Sequence, residues 1–382
     1  TMGNSLNASL GPDSPTDFYM GALEQRETNF NADFSYPWEV GFASPINIAV
    51  GAEHRTESYE IGLGDYGSYA AGPYTVQVLS NGTTVTQAPG TSGFPGYSPN
   101  FVVNNSRRNY AGYVDIETDP VKGFTIGLAG RYEHFSDFGS TANGKISARY
   151  EIIPALAVRG AASTGFRAPT PGQLFTTAGF VGANPTDNLT LQASNPAAIA
   201  FGSVPLVPEK STNFSGGAVI TPGGGFSLTV DYYNITVRDR MGLASYIPIT
   251  TDVQRQTLKA AGLSNWATVG QVRYFANGFK TRTQGLDVTA SHRANTGIGL
   301  FETTLAVNYN KTKVLSRNTR IVNDTRLANI EEGLPKWRAT ITENWSLGKI
   351  GVTARGYYYG SFTSAALPAD GGNLKVGQEF VA

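Results

Sequence analysis

The chain has 382 residues and a formal net charge of +0, with charged residues at only 15%. That balance leaves no electrostatic footprint for nucleic acid. The absence of cysteine excludes disulfide staples, thiolate zinc sites and iron–sulfur clusters. The 45 glycines and an aromatic content of 11% suit twisted strands and tight turns better than helices. A loop-rich chain without disulfides needs another device to hold it, and a closed sheet is one. Mean hydropathy is -0.19, and no run approaches the roughly 18 to 20 apolar residues of a spanning helix. Hydropathy is blind to barrel strands, which carry apolar side chains only at every second position. The opening Thr1–Leu6 lacks the basic and apolar segments of a signal peptide.

Period two governs the rest. Phe30, Ala32, Phe34, Tyr36 and Trp38 alternate with Asn29, Asn31, Asp33 and Ser35. Similar runs occupy Ile46–Tyr59, Asn109–Glu117, Gly123–Glu133, Lys145–Glu151, Ala155–Phe166, Thr212–Ile220, Phe226–Val237 and Thr283–Arg293. In the next, Phe301 to Tyr309 face one way while Glu302 to Asn310 face the other. Lys336–Trp345, Ile350–Phe362 and a partial run, Leu374–Ala382, follow. The alternation rule predicts about thirteen strands. Many reach the roughly 9 to 11 residues of a tilted transmembrane strand, whereas strands of soluble sandwiches average roughly 5 to 6. Aromatic residues near the ends of apolar faces (Tyr36, Trp38, Tyr132, Phe135, Trp337, Trp345, Tyr358 and Phe362) suit an interfacial girdle.

Connections alternate in length. Asp119–Lys122, Ile152–Ala155, Thr221–Gly225, Ala294–Gly299 and Leu347–Lys349 read as tight turns. Gly62–Ser106, Ala168–Glu209, Asp239–Gly270, Val314–Leu334 and Thr363–Asn373 read as long loops, with a shorter Asp137–Gly144 where a long one is due. Short turns at one end and long loops at the other are the mark of a transmembrane, antiparallel up-and-down β-barrel, with turns toward the periplasm and loops outside. Thr251–Gly262, opened by a capping residue and closed by glycine, predicts a helix on a loop surface.

Several segments resemble the barrel of TonB-dependent receptors, the active transporters of the Gram-negative outer membrane. Arg159–Phe175, with Gly165-Phe166-Arg167-Ala168-Pro169 at its centre, is similar to the family's strand ending in a GFRAP turn. Val207–Gly217, with Pro208 and Glu209, is similar to a family strand opening, although Ser215 stands where an acidic residue is usual. Phe226–Arg240, Asn277–Asp287 and Leu334–Arg338 follow in the family's order, and the likeness extends from about Ala49 onward. The resemblance implies import of a scarce nutrient such as a siderophore, cobalamin or carbohydrate, in an outer-membrane lipid setting, with energy from the TonB–ExbB–ExbD complex. It also implies a plug domain and a TonB-contacting segment, neither of which is found in residues 1–382. Family barrels have 22 strands, so the chain is expected to be a fragment: the later part of a barrel, without the plug and the closing strands.

Chemistry is sparse. His54, His134 and His292 are far apart, no metal-ligand spacing occurs, and His134 with Ser136 and Asp137 is the only local trio of catalytic type. A polar strand end explains that trio as well. No catalytic, cofactor or metal residue is therefore assigned, and an enzyme is not expected. The polar stripe Arg131, Glu133, Arg149, Glu151, Arg159, Asp231, Asp287, Arg293, Glu302 and Arg355 is expected to face the lumen, and Arg167 to project inward and bond carbonyls or a plug. Ligand contact is expected from the first long loop, at Tyr66, Tyr69, Tyr74, Phe94, Tyr97 and Phe101. A passive porin-like channel and a β-rich surface binding protein remain as alternatives.

Overall fold

In a computed structural model the described residues are 2–4, 6–87, 89–92, 94–181, 187–263, 266–267, 269–365 and 373–382. Parts of four expected long loops, at 88 and 93, 182–186, 264–265 with 268, and 366–372, lie outside them.

One antiparallel sheet organises the chain. Its strands, in chain order, are β1 (Leu23–Trp38), β2 (Ile46–Ile61), β3 (Val103–Val121), β4 (Phe124–Phe135), β5 (Gly139–Ile153), β6 (Leu156–Arg167), β7 (Glu209–Gly223), β8 (Phe226–Leu243), β9 (Val269–Thr296), β10 (Gly299–Arg317), β11 (Trp337–Leu347), β12 (Ile350–Tyr359) and β13 (Glu379–Val381). Each pairs with the next, so the up-and-down order is unbroken from β1 to β13. Among the described residues no helix is long and apolar enough to cross a membrane.

Register fixes the faces, because residues opposite each other in an antiparallel pair point the same way. Asp33, Gly51, Tyr113, Arg131 and Asn143 are successive partners across β1 to β5. Arg159, Gly217, Asp231, Asp287 and Asn308 are successive partners across β6 to β10. This face is polar and internally paired. Tyr113 donates to Asp33 at 2.7 Å, Arg131 bridges Glu53 (2.6 Å) and Glu133 (2.7 Å), and Arg159 clasps Asp231 with two bonds of 2.8 and 2.5 Å. Asn308 donates to Asp287, and Arg293 lies 3.3 Å from Glu302. The expected lumen stripe is thus a network of ion pairs and hydrogen bonds along and across the strands.

The opposite face is apolar and open. Phe30, Phe34, Val114, Leu128, Ile146, Phe214, Ile341 and Val352 are all exposed there. Aromatic rings bound it at both ends. Phe124 and Tyr150 meet edge to face near the short turns, and Tyr309 and Trp337 lie 4.8 Å apart toward the loops. From Phe301 to Tyr309 the strand rises roughly 27 Å at 3.4 Å per residue. With barrel tilt that is roughly 20 Å of height between ring centres, which the rings themselves extend toward the roughly 25 Å apolar band of outer-membrane barrels. Two girdle expectations are corrected. Phe135 is on the lumen face and 1% exposed, stacked on Phe138. Phe362 leaves the sheet and, with Ser364, forms a separate hairpin with Leu374–Val376. The run Leu374–Ala382 is therefore broken, and only Glu379–Val381 joins the sheet, against Tyr357–Tyr359.

The alternation of connections holds. Residues 39–45, 122–123, 154–155, 224–225, 297–298 and 348–349 turn at one end, while 62–102, 168–208, 244–268, 318–336 and 360–378 span the other. The exception is tighter than expected. β4 and β5 run on to a Phe135–Gly139 pair, leaving residues 136–138, with Gly139 at φ 87° in the left-handed region glycine tolerates.

Candidate ligand-binding site

With the lumen face polar, the apolar core lies elsewhere. It sits at the loop end, where Phe101, Leu189, Leu191, Leu258, Val269, Val272, Phe279 and Val322 form one buried cluster drawn from four long connections and β9. β9 makes this possible. Its 28 residues extend roughly 90 Å at 3.3 Å per residue, far beyond a membrane band, and its first residues, Val269–Tyr274, run on past the end of β8 as a post. Asp187–Leu191 pairs parallel to that post, Ala178–Val181 pairs with Asp187–Leu191, and Ile247–Pro248 adds on the post as well. The register between β8 and β9 shifts between Val237 and Met241. Asp239 adopts φ 54°, and Asn277 bonds the carbonyls of Asp239 (2.6 Å) and Val207 (2.8 Å) while accepting from the Val207 amide (2.9 Å).

The expected loop helix is α1, Asp252–Ala260, with a reciprocal capping box between Thr251 and Gln254. Its position is corrected: Leu258 is 0% exposed and belongs to the loop core. Because the cap closes the helix that carries this anchor, Thr251→Ala should lower local stability by about 1 kcal/mol. Amide exchange across Asp252–Ala260 should speed up about fivefold while β4 and β5 stay unchanged; no change in the helix would show that the cap carries no weight. A second helix, α2 (Asp324–Glu332), is capped by Asn323 and had no counterpart in the sequence reading. Its Arg326 donates to the carbonyls of Leu243 and Ile321, and burial lowers the guanidinium's affinity for its proton.

A cavity of about 560 Å³ opens between the first long connection and the loop sheet. Tyr66, Tyr69 and Phe101 line it, together with Ala70, Ser98 and Leu189. Tyr66 and Tyr69 sit on a one-turn helix, rings edge to face at 5.7 Å. The other three expected contacts lie elsewhere. Tyr97 packs on the Tyr59, Ile61 and Val103 cluster, and burial pushes its phenol up from the ordinary value. Phe94 rests edge-on against Tyr97 at 5.6 Å. Tyr74 covers Gly11, where a Cβ would meet its ring at 2.4 Å. That last contact exposes an unforeseen layer: residues 6–22 fold onto the first loop, with buried Asn7 donating to the carbonyls of Gly67 and Ala70 at 2.8 and 2.9 Å. The lining residues Gly179, Leu189 and Ala267 were also unforeseen; the Leu189/Leu191 alternation is a signal that could have marked the strand carrying Leu189.

The residues quoted for the family resemblance form the junction between loops and barrel. Gly165 leaves room for Ser211, whose Oγ would lie 2.9 Å from an added Cβ. Phe166 meets Phe135 edge to face at 5.8 Å. Arg167 is clasped by Glu209 through bonds of 3.1 and 2.8 Å, and Glu209 also accepts from the Met241 amide at 2.8 Å. Its partner is thus the next strand. Pro169 offers its carbonyl to Arg107 at 2.6 Å, and Pro208 is half-buried immediately before β7. The trio at the end of β4 is dispersed: His134 faces Ser140, Ser136 accepts from the Arg108 amide, and Asp137 lies 3.6 Å from Arg107.

The chain matches the family described as TonB dependent receptor-like, beta-barrel over residues 2–377. No curated protein matches it by sequence. Among solved structures it is similar to the ferric enterobactin receptor PfeA from Pseudomonas aeruginosa in complex with BCV-L6, with TM-score 0.62 and 13% identity over 94% of this chain and 46% of that one. The siderophore receptor PirA from Acinetobacter baumannii is alike at TM-score 0.60 and 13% identity, covering 94% of this chain and 47% of that one. The FrpB iron transporter from Neisseria meningitidis follows at 0.56 and 14%, covering 93% and 47%. The chain spans about half the length of the structures it matches. These neighbours are transport receptors, not enzymes, and with a polar, paired inner face, an open apolar outer face and a folded cap of loops, the chain belongs to the TonB-dependent receptor β-barrel family.

Proposed function

We propose that the chain is part of an outer-membrane receptor barrel that captures a scarce nutrient at its external loops and imports it with TonB-derived energy. Residues 1–382 are read as one barrel portion, with the plug and the contact for the TonB–ExbB–ExbD complex supplied by other parts of the same receptor. The observation that carries this reading is the loop cap. Its buried apolar core and a cavity of about 560 Å³ stand on the loop side of a family barrel, and a cavity of that size matches ordinary small-molecule sites. A passive channel has no need of such a built site above its mouth.

Cells carrying the full-length receptor should deplete its ligand from the medium, and a protonophore or loss of TonB should abolish that accumulation. Steady ion conductance by the purified receptor in planar bilayers, with uptake unaffected by TonB loss, would instead support the porin-like alternative.

A further inference from the structure

The cavity at the loop end is lined by fifteen described residues, and Asp, Glu, Lys, Arg and His are absent from them. Its floor is apolar: Ala70, Phe101 and Leu189 are all buried. Three wall residues, Pro89, Pro95 and Pro99, have no backbone N–H to offer an anion. The hydroxyl of Thr75 is already committed to the Gly72 carbonyl at 2.7 Å. At the mouth, Tyr66 stands 72% exposed with its ring edge-on to Tyr69. A multiply charged chelate entering here would shed water and find no ion to pair with, a loss that low-dielectric surroundings make severe. Flat apolar rings would find aromatic faces and phenol hydroxyls, which suit offset or edge contacts and an occasional hydrogen bond.

We propose that this cavity takes an uncharged, multi-ring organic molecule carrying a few hydroxyl groups, and that it excludes anionic metal chelates. The inference rests on the receptor reading and narrows its ligand class.

The test uses the full-length receptor in detergent, with β-estradiol as the uncharged probe and ferric enterobactin as the trianionic one, in equilibrium dialysis. Estradiol should bind saturably. Tyr66→Ala should weaken that binding about fivefold to tenfold, the weight of one aromatic contact, and Ala71→Trp, from an exposed position on the lining, should abolish it by filling the space. Ferric enterobactin should not bind. Both variants alter exposed positions, and retained heat-modifiable migration checks their fold. Estradiol binding that is absent, or indifferent to both variants, overturns the proposal. So does saturable ferric enterobactin binding that Ala71→Trp removes, and that result would leave the receptor reading standing. Loss of the receptor reading would show separately, as TonB-independent uptake.

Discussion

Glu57→Gln should destabilise the junction between barrel and loops by about 3 kcal/mol, near the lower end of the roughly 3–5 kcal/mol lost when one partner of a buried ion pair is removed. Glu57 and Arg107 are neighbours on the lumen face of β2 and β3, 2.5 Å apart, with side chains 7% and 5% exposed. Arg107 also donates to the Pro169 carbonyl at 2.6 Å and lies over the Phe135 ring at 5.5 Å. Removing the carboxylate leaves a buried guanidinium whose remaining counter-charge, Asp137, is 3.6 Å away and more exposed. That residual pairing is why the lower figure is expected. The loop that begins at Pro169 loses its anchor as the arginine shifts, so amide exchange over Pro171–Phe175 should accelerate along with the fall in urea midpoint. The double change Glu57→Leu with Arg107→Met removes both charges and should cost less than the single one. A single-variant loss under 1 kcal/mol would mean that the pair is solvated and does not hold the loop.

The period-two runs were legible because side-chain alternation in a strand translates directly into two faces, and the register carries Phe30 and Phe34 to one side and Asn31 and Asp33 to the other. Turn positions followed from the same signal, since Gly223, Gly224 and Gly225 all take the positive φ that such tight reversals require. The cavity was legible only in part. Tyr66, Tyr69 and Phe101 share one loop and could be nominated from aromatic content, but Gly179, Leu189 and Ala267 reach the same space through tertiary pairing across three connections. Nothing local distinguishes Tyr97, which packs inward, from Tyr66, which is exposed. Phe135 misled for a related reason: its parity placed it on the lumen face, yet its aromatic character suggested a girdle, and the buried stack with Phe138 prevailed. Helix α1 announced itself through its cap, whereas the burial of Leu258 depends on what the neighbouring loops supply.

Leu128→Arg should cost the lipid-embedded receptor about 2–4 kcal/mol, the penalty for an arginine facing lipid near mid-membrane. Leu128 lies on the outer face of β4, between the edge-to-face pair Phe124 and Tyr150 below and Tyr132 above, opposite Ile116 on one side and Ile146 on the other. Nearly half its surface is exposed, with no protein layer to cover it, so the surroundings of an arginine there would be acyl chains. The adjacent position provides the contrast. Ala129 points into the polar lumen beside Lys145 and Asp115, and Ala129→Arg should change stability by less than about 1 kcal/mol because water and Asp115 can accommodate the charge. Urea unfolding of the full-length receptor in phosphatidylcholine vesicles reads both. A soluble surface protein would tolerate Leu128→Arg as readily as Ala129→Arg, or gain from it. Equal effects at the two positions would therefore remove the physical basis for placing this sheet in a membrane, whereas a loss confined to Leu128 shows that the apolar face meets lipid.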